Sequence, residues 1–276
     1  MLVTLKEILQ DAEEKKYGVG LFNMLNLETA RGILEAAEAE RSPLILGVAE
    51  VHLPIIPFPY AAQIMMHMAK EASVPVCLHF DHGTRYEAIM EALKAGFTSV
   101  MFDGSALPYE ENIAGTVEIC RAAHALGASV EAELGHVGNA QDGNGESSQY
   151  TDPQQAVDFI AKTGVDALAV AIGTAHGQYR EKPVLDISRL AKLYEVSRPT
   201  GTPLVLHGGS GLSDEDFRNT IENGIRKVNI CTELCLAADR AYRAAPGFET
   251  GVVAAKDSVK EAVRARMRLF GSAGKA

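Results

Sequence analysis

Short, almost continuously apolar runs recur along the whole chain, at 17–22, 44–49, 75–80, 98–102, 129–134, 167–172, 203–207 and 227–231. A strand with one wet face alternates apolar and polar residues, whereas an unbroken apolar run marks a strand buried on both faces, as in parallel sheets. Between the runs the spacing becomes helical. Tyr86, Ile89, Met90 and Leu93 follow the i, i+3, i+4, i+7 rule, and Ile113, Val117, Cys120 and His124 repeat at similar intervals, so each set predicts one buried stripe. Thr4 with Glu7 and Thr151 with Gln154 have capping-box spacing, the second next to Pro153. Gly96, Gly127 and Gly164 stand shortly before strands, where a helix C-cap calls for positive φ.

Eight strands separated by helices within roughly 230 residues predict a single α/β domain over 1–276, a (β/α)8 TIM barrel. A doubly wound open sheet is the alternative. Residues 135–150 break the pattern, being polar, rich in Gly, Asn and Ser, and without periodicity, as expected of a long loop beside a site.

Composition narrows the function. The 276 residues carry 26 Lys plus Arg against 36 Asp plus Glu, a net charge of -10, so there is no basic field for nucleic acid or anionic lipid. Neither partner is expected, and no stretch approaches the roughly 18 apolar residues of a membrane span. Cys77, Cys120, Cys231 and Cys235 form no C-x-x-C pair and no disulfide framework. With no secretory leader pattern at the start, a cytoplasmic setting is expected.

In a barrel of this kind the functional face is built at the C-terminal ends of the strands. The first polar residues there are Asn23, Glu50, Asp81 with His82, Asp103, Glu133, His176, His207, and Asn229 with Thr232. Among eight histidines, His82, His176 and His207 stand out because each lies at a strand end beside glycine. Three neutral imidazoles with an open fourth position make the ligand set of a catalytic zinc. Histidines satisfied locally by hydrogen bonds remain the alternative. Gly208, Gly209, Ser210 and Gly211 follow a strand and precede a helix with Ser213 as a plausible N-cap, so backbone N–H groups there suit a phosphate. Helix capping and a tight turn are the plainer reading of the same residues.

Taken in order, Leu78-His79-Phe80-Asp81-His82-Gly83, Ser99-Val100-Met101-Phe102-Asp103-Gly104-Ser105, Val130-Glu131-Ala132-Glu133-Leu134-Gly135, Gly173-Thr174-Ala175-His176-Gly177, Leu206-His207-Gly208-Gly209-Ser210-Gly211 and Lys227-Val228-Asn229-Ile230 make a set. With the terminal Phe270-Gly271-Ser272-Ala273, the chain resembles the class II, zinc-dependent ketose-bisphosphate aldolases, including fructose- and tagatose-bisphosphate aldolases, over essentially its whole length. The resemblance implies that His82, His176 and His207 hold Zn2+, with Asp103 and Glu133 as second-site or alternative ligands for a further divalent or monovalent cation. It implies Asp81 as the acid/base on the C4 hydroxyl. Gly177, Gly208, Ser210, Asn229 and Thr232 would hold the phosphate of the dihydroxyacetone phosphate half, Asn229 also touching the enediolate. The partners implied are a phosphorylated ketose, dihydroxyacetone phosphate and further copies of the chain, as a homodimer or homotetramer.

Three positions depart from the family pattern. Ala49 stands where relatives commonly place Ser or Thr, Gln141 where they have the glutamate that exchanges a proton with C3, and Glu249 where an arginine grips the distal phosphate. An amide cannot exchange that proton. Asp142 is the neighbouring carboxylate, and His52 and Arg180 are polar residues beyond strand ends that could meet a different distal group. The leading expectation is a zinc lyase that cleaves a ketose 1-phosphate or 1,6-bisphosphate to dihydroxyacetone phosphate and an aldehyde. A zinc-dependent sugar-phosphate epimerase and a noncatalytic sugar-phosphate-binding subunit are the alternatives.

Overall fold

The computed structural model describes residues 1–140 and 149–276. Its elements alternate in chain order: α1 (Leu5–Lys15), β1 (Val19–Asn23), α2 (Leu27–Glu40), β2 (Leu44–Ala49), α3 (Phe58–Glu71), β3 (Val76–Gly83), α4 (Tyr86–Lys94) and β4 (Ser99–Phe102). There follow α5 (Tyr109–Ala125), β5 (Ser129–Leu134), α6 (Pro153–Thr163), β6 (Ala167–Val170), α7 (Ile187–Ser197), β7 (Leu204–Leu206), α8 (Asp214–Glu222) and β8 (Ile225–Ile230), and the chain ends with α9 (Thr232–Ala244) and α10 (Phe248–Phe270). All strand pairs are parallel and β1 pairs with β8, so the sheet closes as an eight-stranded barrel and the open-sheet alternative falls away.

Alternation along each strand sorts side chains between the barrel interior and the helices outside. Leu78, Phe80, Val130, Ala132, Val228 and Ile230 pack outward in the large core cluster shared with the helices. Inside, Leu21, Ile45, Cys77, Ala167, Ala169 and Val205 form a smaller cluster with Leu5, Ile8, Leu9 and Ala12 of α1. That helix therefore plugs the N-terminal mouth. Further along the same inward rows come His79 and Asp81 on β3, Glu131 and Glu133 on β5, and Lys227 and Asn229 on β8, all buried. The interior thus changes from apolar to charged toward the C-terminal face.

Local chemistry sets the helix starts. Thr4 and Glu7 form the expected capping box, with Glu7 N–H donating to Thr4 Oγ1 and Thr4 N–H to Glu7 Oε2. Ser213 and Asp216 do the same for α8. The expected Thr151 box does not form: Asp152 caps α6, accepting from Gln154 and Gln155 N–H at 2.9 Å. Thr151 is buried instead, its hydroxyl donating to Leu134 O while accepting from Ala171 N–H, which ties the ends of β5 and β6 together. Gly96, Gly127 and Gly164 all have positive φ, as their positions required.

Two predicted stripes are shifted. On α4 the buried residues are Ala88, Ile89, Ala92 and Leu93, while Tyr86 is exposed. On α5 they are Asn112, Ile113, Thr116, Ile119, Cys120 and Ala123, with Val117 exposed and His124 on the outer side, 2.7 Å from Asp166. Each buried stripe mixes small residues, such as Ala88, Ala92 and Ala123, with large apolar ones, such as Ile89, Leu93 and Ile119, so the helices sit close to the sheet on a face turned slightly from the predicted one. Close approach also marks α2 against α10, where a Cβ on Gly32 would meet Lys256 O at 2.6 Å.

Candidate active site and metal centre

At the C-terminal face lies a cavity of about 560 Å³, of the size that takes small ligands. The β3 end enters it through a register irregularity between Phe80 and Gly83, so two successive residues, Asp81 and His82, both reach the cavity lining. His82 is held at φ 49°, a left-handed conformation that a β-substituted residue adopts only under outside constraint. The constraint is visible: His82 Nδ1 lies 2.7 Å from Asp103 Oδ2 at the end of β4.

His176, beyond β6, and His207, at the end of β7, complete the cluster. Ring centroids are 4.8 Å apart for His82–His176, 4.6 Å for His82–His207 and 5.8 Å for His176–His207. One nitrogen from each of the three rings lies within 4.8 Å of the others, and His82, Asp103 and Glu133 form a second such group. All five sequence-predicted ligands are therefore brought together.

The donor chemistry fits a cation. Asp103 accepts at Oδ2, so His82 Nδ1 carries the proton and the Nε2 lone pair is left for a ligand. His176 Nε2 is buried without a hydrogen-bond partner among the described residues, and His207 Nδ1 and Glu133 Oε2 are buried 3.0 Å from each other with no other partner among them. Burial is the first cause of the lowered pKa of His176, about 4, which keeps its imidazole neutral and able to ligate. His207 differs. Burial acts to lower it, but Glu131 Oε1 at 2.8 Å from Nε2 and Glu133 Oε2 at 3.0 Å from Nδ1 push it up to about 10. That field favours positive charge at His207, whether as a proton or as a metal ion in its place.

Asp81 sits beside the cluster with Oδ1 accepting from Asn229 Nδ2 at 3.1 Å and Oδ2 from Asn23 Nδ2 at 3.0 Å. Burial alone would raise its pKa, but the field of the histidine cluster around His82 and the ammonium of Lys227 outweigh it and lower the pKa, favouring the ionised carboxylate. A buried, ionised, oriented carboxylate is equipped to take a proton.

The glycine-rich side of the cavity is made from Gly177, Gly208, Gly209, Ser210 and Thr232. Gly208 has φ 66° and its absent Cβ would meet Ala175 O at 2.5 Å, so the β6 and β7 loops touch backbone to backbone there. Ser210 Oγ accepts from Cys231 and Glu233 N–H at the start of α9. Its hydroxyl proton remains for a guest, and Thr232 opens that helix. Positive helix-end charge and glycine backbone thus face one wall.

Of the departures and the polar residues named with them, Ala49 and His52 line the cavity, while Glu249 and Arg180 are exposed and outside its described lining. Gln141 and Asp142 lie outside the described residues. Sequence reading passed over His136, Glu131 and Lys227. His136 lines the cavity with Nδ1 3.0 Å from Ser105 Oγ; Lys227 Nζ is 2.8 Å from Glu131 Oε2 and 2.7 Å from Asn229 Oδ1. The signal for the last two was a charged residue inside an apolar strand run, which calls for a partner.

Comparison with known proteins agrees with this geometry. The family model described as class-II fructose-bisphosphate aldolase matches residues 3–275. The chain is 40% identical to the fructose-bisphosphate aldolase of Geobacillus stearothermophilus and 41% to the probable fructose-bisphosphate aldolase of Bacillus subtilis (strain 168), in each case over 100% of this chain and 99% of the relative. Among solved structures it resembles the YdjI aldolase from Escherichia coli K12, with a TM-score of 0.91, 39% identity and full coverage of both chains. Sequence, barrel and rim together show that the chain belongs to the class-II fructose-bisphosphate aldolase family.

Proposed function

We propose that this lyase cleaves a phosphorylated ketose between C3 and C4 with His82, His176 and His207 holding Zn2+ and Asp81 as the base on the C4 hydroxyl. The observation that carries the reading is the meeting of three imidazoles, from the ends of three different strands, beside a carboxylate pinned by two asparagine amides. When bound, the metal supplies Lewis acidity that offsets the negative charge developing on the enediolate, a role that needs no lysine Schiff base. Asp103 orients His82, and Glu133 offers an alternative ligand or a place for a second cation. Asp81 removes the C4 hydroxyl proton as the C3–C4 bond breaks, and Asn23 and Asn229 keep its two oxygens aimed. The wall of Gly177, Gly208, Ser210, Asn229 and Thr232 takes the phosphate of the dihydroxyacetone phosphate half.

The distal end of the substrate is the point of difference. Among the described lining residues there is no lysine or arginine, and residues 141–148 contain neither. Burial lowers the pKa of His52, which leaves it a neutral imidazole near that end. We infer a preference for a ketose 1-phosphate whose C6 group is not a second phosphate. The enzyme acts in the cytoplasm as a homodimer or homotetramer, a setting that suits four free cysteines. No described helix is long and apolar enough to cross a membrane. Zinc analysis combined with dehydrogenase-coupled detection of dihydroxyacetone phosphate across a panel of ketose phosphates tests the reading. Absence of zinc, or of any product, overturns it.

A further inference from the structure

Cleavage between C3 and C4 requires two proton movements, one off the C4 hydroxyl and one onto C3. Asp81 serves the first. The second needs a group facing the cavity with a nitrogen or oxygen free to exchange a proton, and most of the lining groups are committed. Asp103 is engaged by His82 and Ser105, and Glu50 by Thr84 and Arg85. Glu133 is buried against Val137 N–H and His207.

His136 is differently placed. It is half-buried at the root of the loop that follows β5, and it lines the cavity. Its backbone is fixed on one side by mutual bonds with Gln149 at 2.9 Å. Four residues on, Ala140 N–H donates to His176 O, while His176 N–H donates to Gly138 O, both at 2.8 Å. The loop root is thereby tied to the backbone of a proposed zinc ligand.

The side chain is oriented by a chain of hydrogen bonds with a determined direction. Ser105 Oγ donates its single proton to Asp103 Oδ1 at 2.7 Å, and Ser105 N–H donates to the same oxygen at 3.1 Å. Ser105 Oγ can then only accept from His136 Nδ1 at 3.0 Å. The neutral imidazole of His136 therefore carries its proton on Nδ1 and a lone pair on Nε2. One carboxylate thus sets two tautomers, that of His82 directly and that of His136 through Ser105. In both imidazoles Nε2 lies outside that chain of hydrogen bonds, and both residues line the cavity.

We propose that His136 is a further catalytic residue, the acid/base that exchanges a proton with C3. The inference rests on the aldolase reading above. In the condensation direction the C3–H proton of dihydroxyacetone phosphate passes to His136 Nε2, the C–H electron pair becomes the C2–C3 π bond of the enediolate, and the carbonyl π pair moves onto the C2 oxygen. C3 then attacks the aldehyde, whose oxygen takes the proton held by Asp81. In cleavage, Asp81 receives the C4 hydroxyl proton, the C3–C4 pair remains on C3, and the His136 imidazolium delivers its Nε2 proton there. The two residues restore their protons through solvent, and no redox partner is needed.

The test is deuterium exchange at C3 of dihydroxyacetone phosphate in D2O, without aldehyde, followed by NMR and expressed per bound zinc. His136→Asn keeps a donor toward Ser105 but removes Nε2, and His136→Ala removes both. Both variants are expected to keep stoichiometric zinc and to bind dihydroxyacetone phosphate within about threefold of the parent, and to lose exchange by about a hundredfold or more, the scale of general acid–base catalysis. Asp142→Asn and Glu146→Gln should leave exchange unchanged. Retention of exchange by His136→Asn overturns the role, as does loss of zinc in both variants or loss of exchange in a loop variant alone. A parent protein that neither exchanges nor cleaves any ketose phosphate would instead overturn the aldolase reading itself.

Discussion

Lys227 and Glu131 face each other inside the barrel with Nζ 2.8 Å from Oε2, neither side chain having any exposed surface. Glu131 also engages His207 Nε2 at 2.8 Å, so the pair holds that ring by Nε2 and leaves Nδ1 as the nitrogen available to a metal ion. Its carboxylate is held below the usual range because the lysine charge outweighs the effect of burial. Removing one partner of a buried pair leaves the other charge uncompensated, at a cost of about 3–5 kcal/mol. Lys227→Met should therefore lower the midpoint of thermal unfolding, and Lys227→Met with Glu131→Gln should recover much of the loss. Chelator competition should show the double variant binding zinc about 10–100-fold more weakly, as expected when the partner of a ligating histidine is lost. Unchanged zinc affinity would show that Glu131 does not orient His207.

His82→Ala, His176→Ala and His207→Ala should each abolish bound zinc and ketose cleavage together. Atomic emission on the purified variants reads the first and a coupled assay the second. Stoichiometric zinc with normal turnover in any one variant would remove that residue from the ligand set.

Asp81→Ala should keep zinc and substrate affinity while kcat falls by about 10²–10⁴. Asn23→Ala and Asn229→Ala each free one carboxylate oxygen and should reduce kcat less. An effect of Asp81→Ala confined to KM would place the residue in binding.

Fructose 1,6-bisphosphate should be a poor substrate beside a ketose 1-phosphate with an uncharged group at C6, since a site lacking the partner for a charged group discriminates strongly against it. A kcat/KM for fructose or tagatose 1,6-bisphosphate of about 10⁵ M⁻¹s⁻¹ or above would show that the distal phosphate finds its cation elsewhere.

The barrel was legible because strands buried on both faces read as apolar runs, and its rim because polar residues end those runs. Asp81, His82, Asp103, Glu133, His176 and His207 could be found one strand at a time. Glu131 and Lys227 could not, since 96 positions separate them and each makes sense only opposite the other. His136 was hidden for a related reason: its significance depends on Ser105, brought near by a neighbouring strand. Thr151 misled because two adjacent residues could cap α6, and only the β5–β6 contact decides that Asp152 does so.

The left-handed backbone at His82 sets folding and catalysis against each other. A β-substituted residue in that region costs about 1–3 kcal/mol, an expense glycine escapes. His82→Gly should relieve the strain, and in metal-free protein its thermal midpoint should equal or exceed that of the parent despite the lost bond to Asp103. A search for thermostable versions of this enzyme that monitored melting alone would therefore be drawn toward replacing a proposed metal ligand, and would select well-folded, inactive barrels.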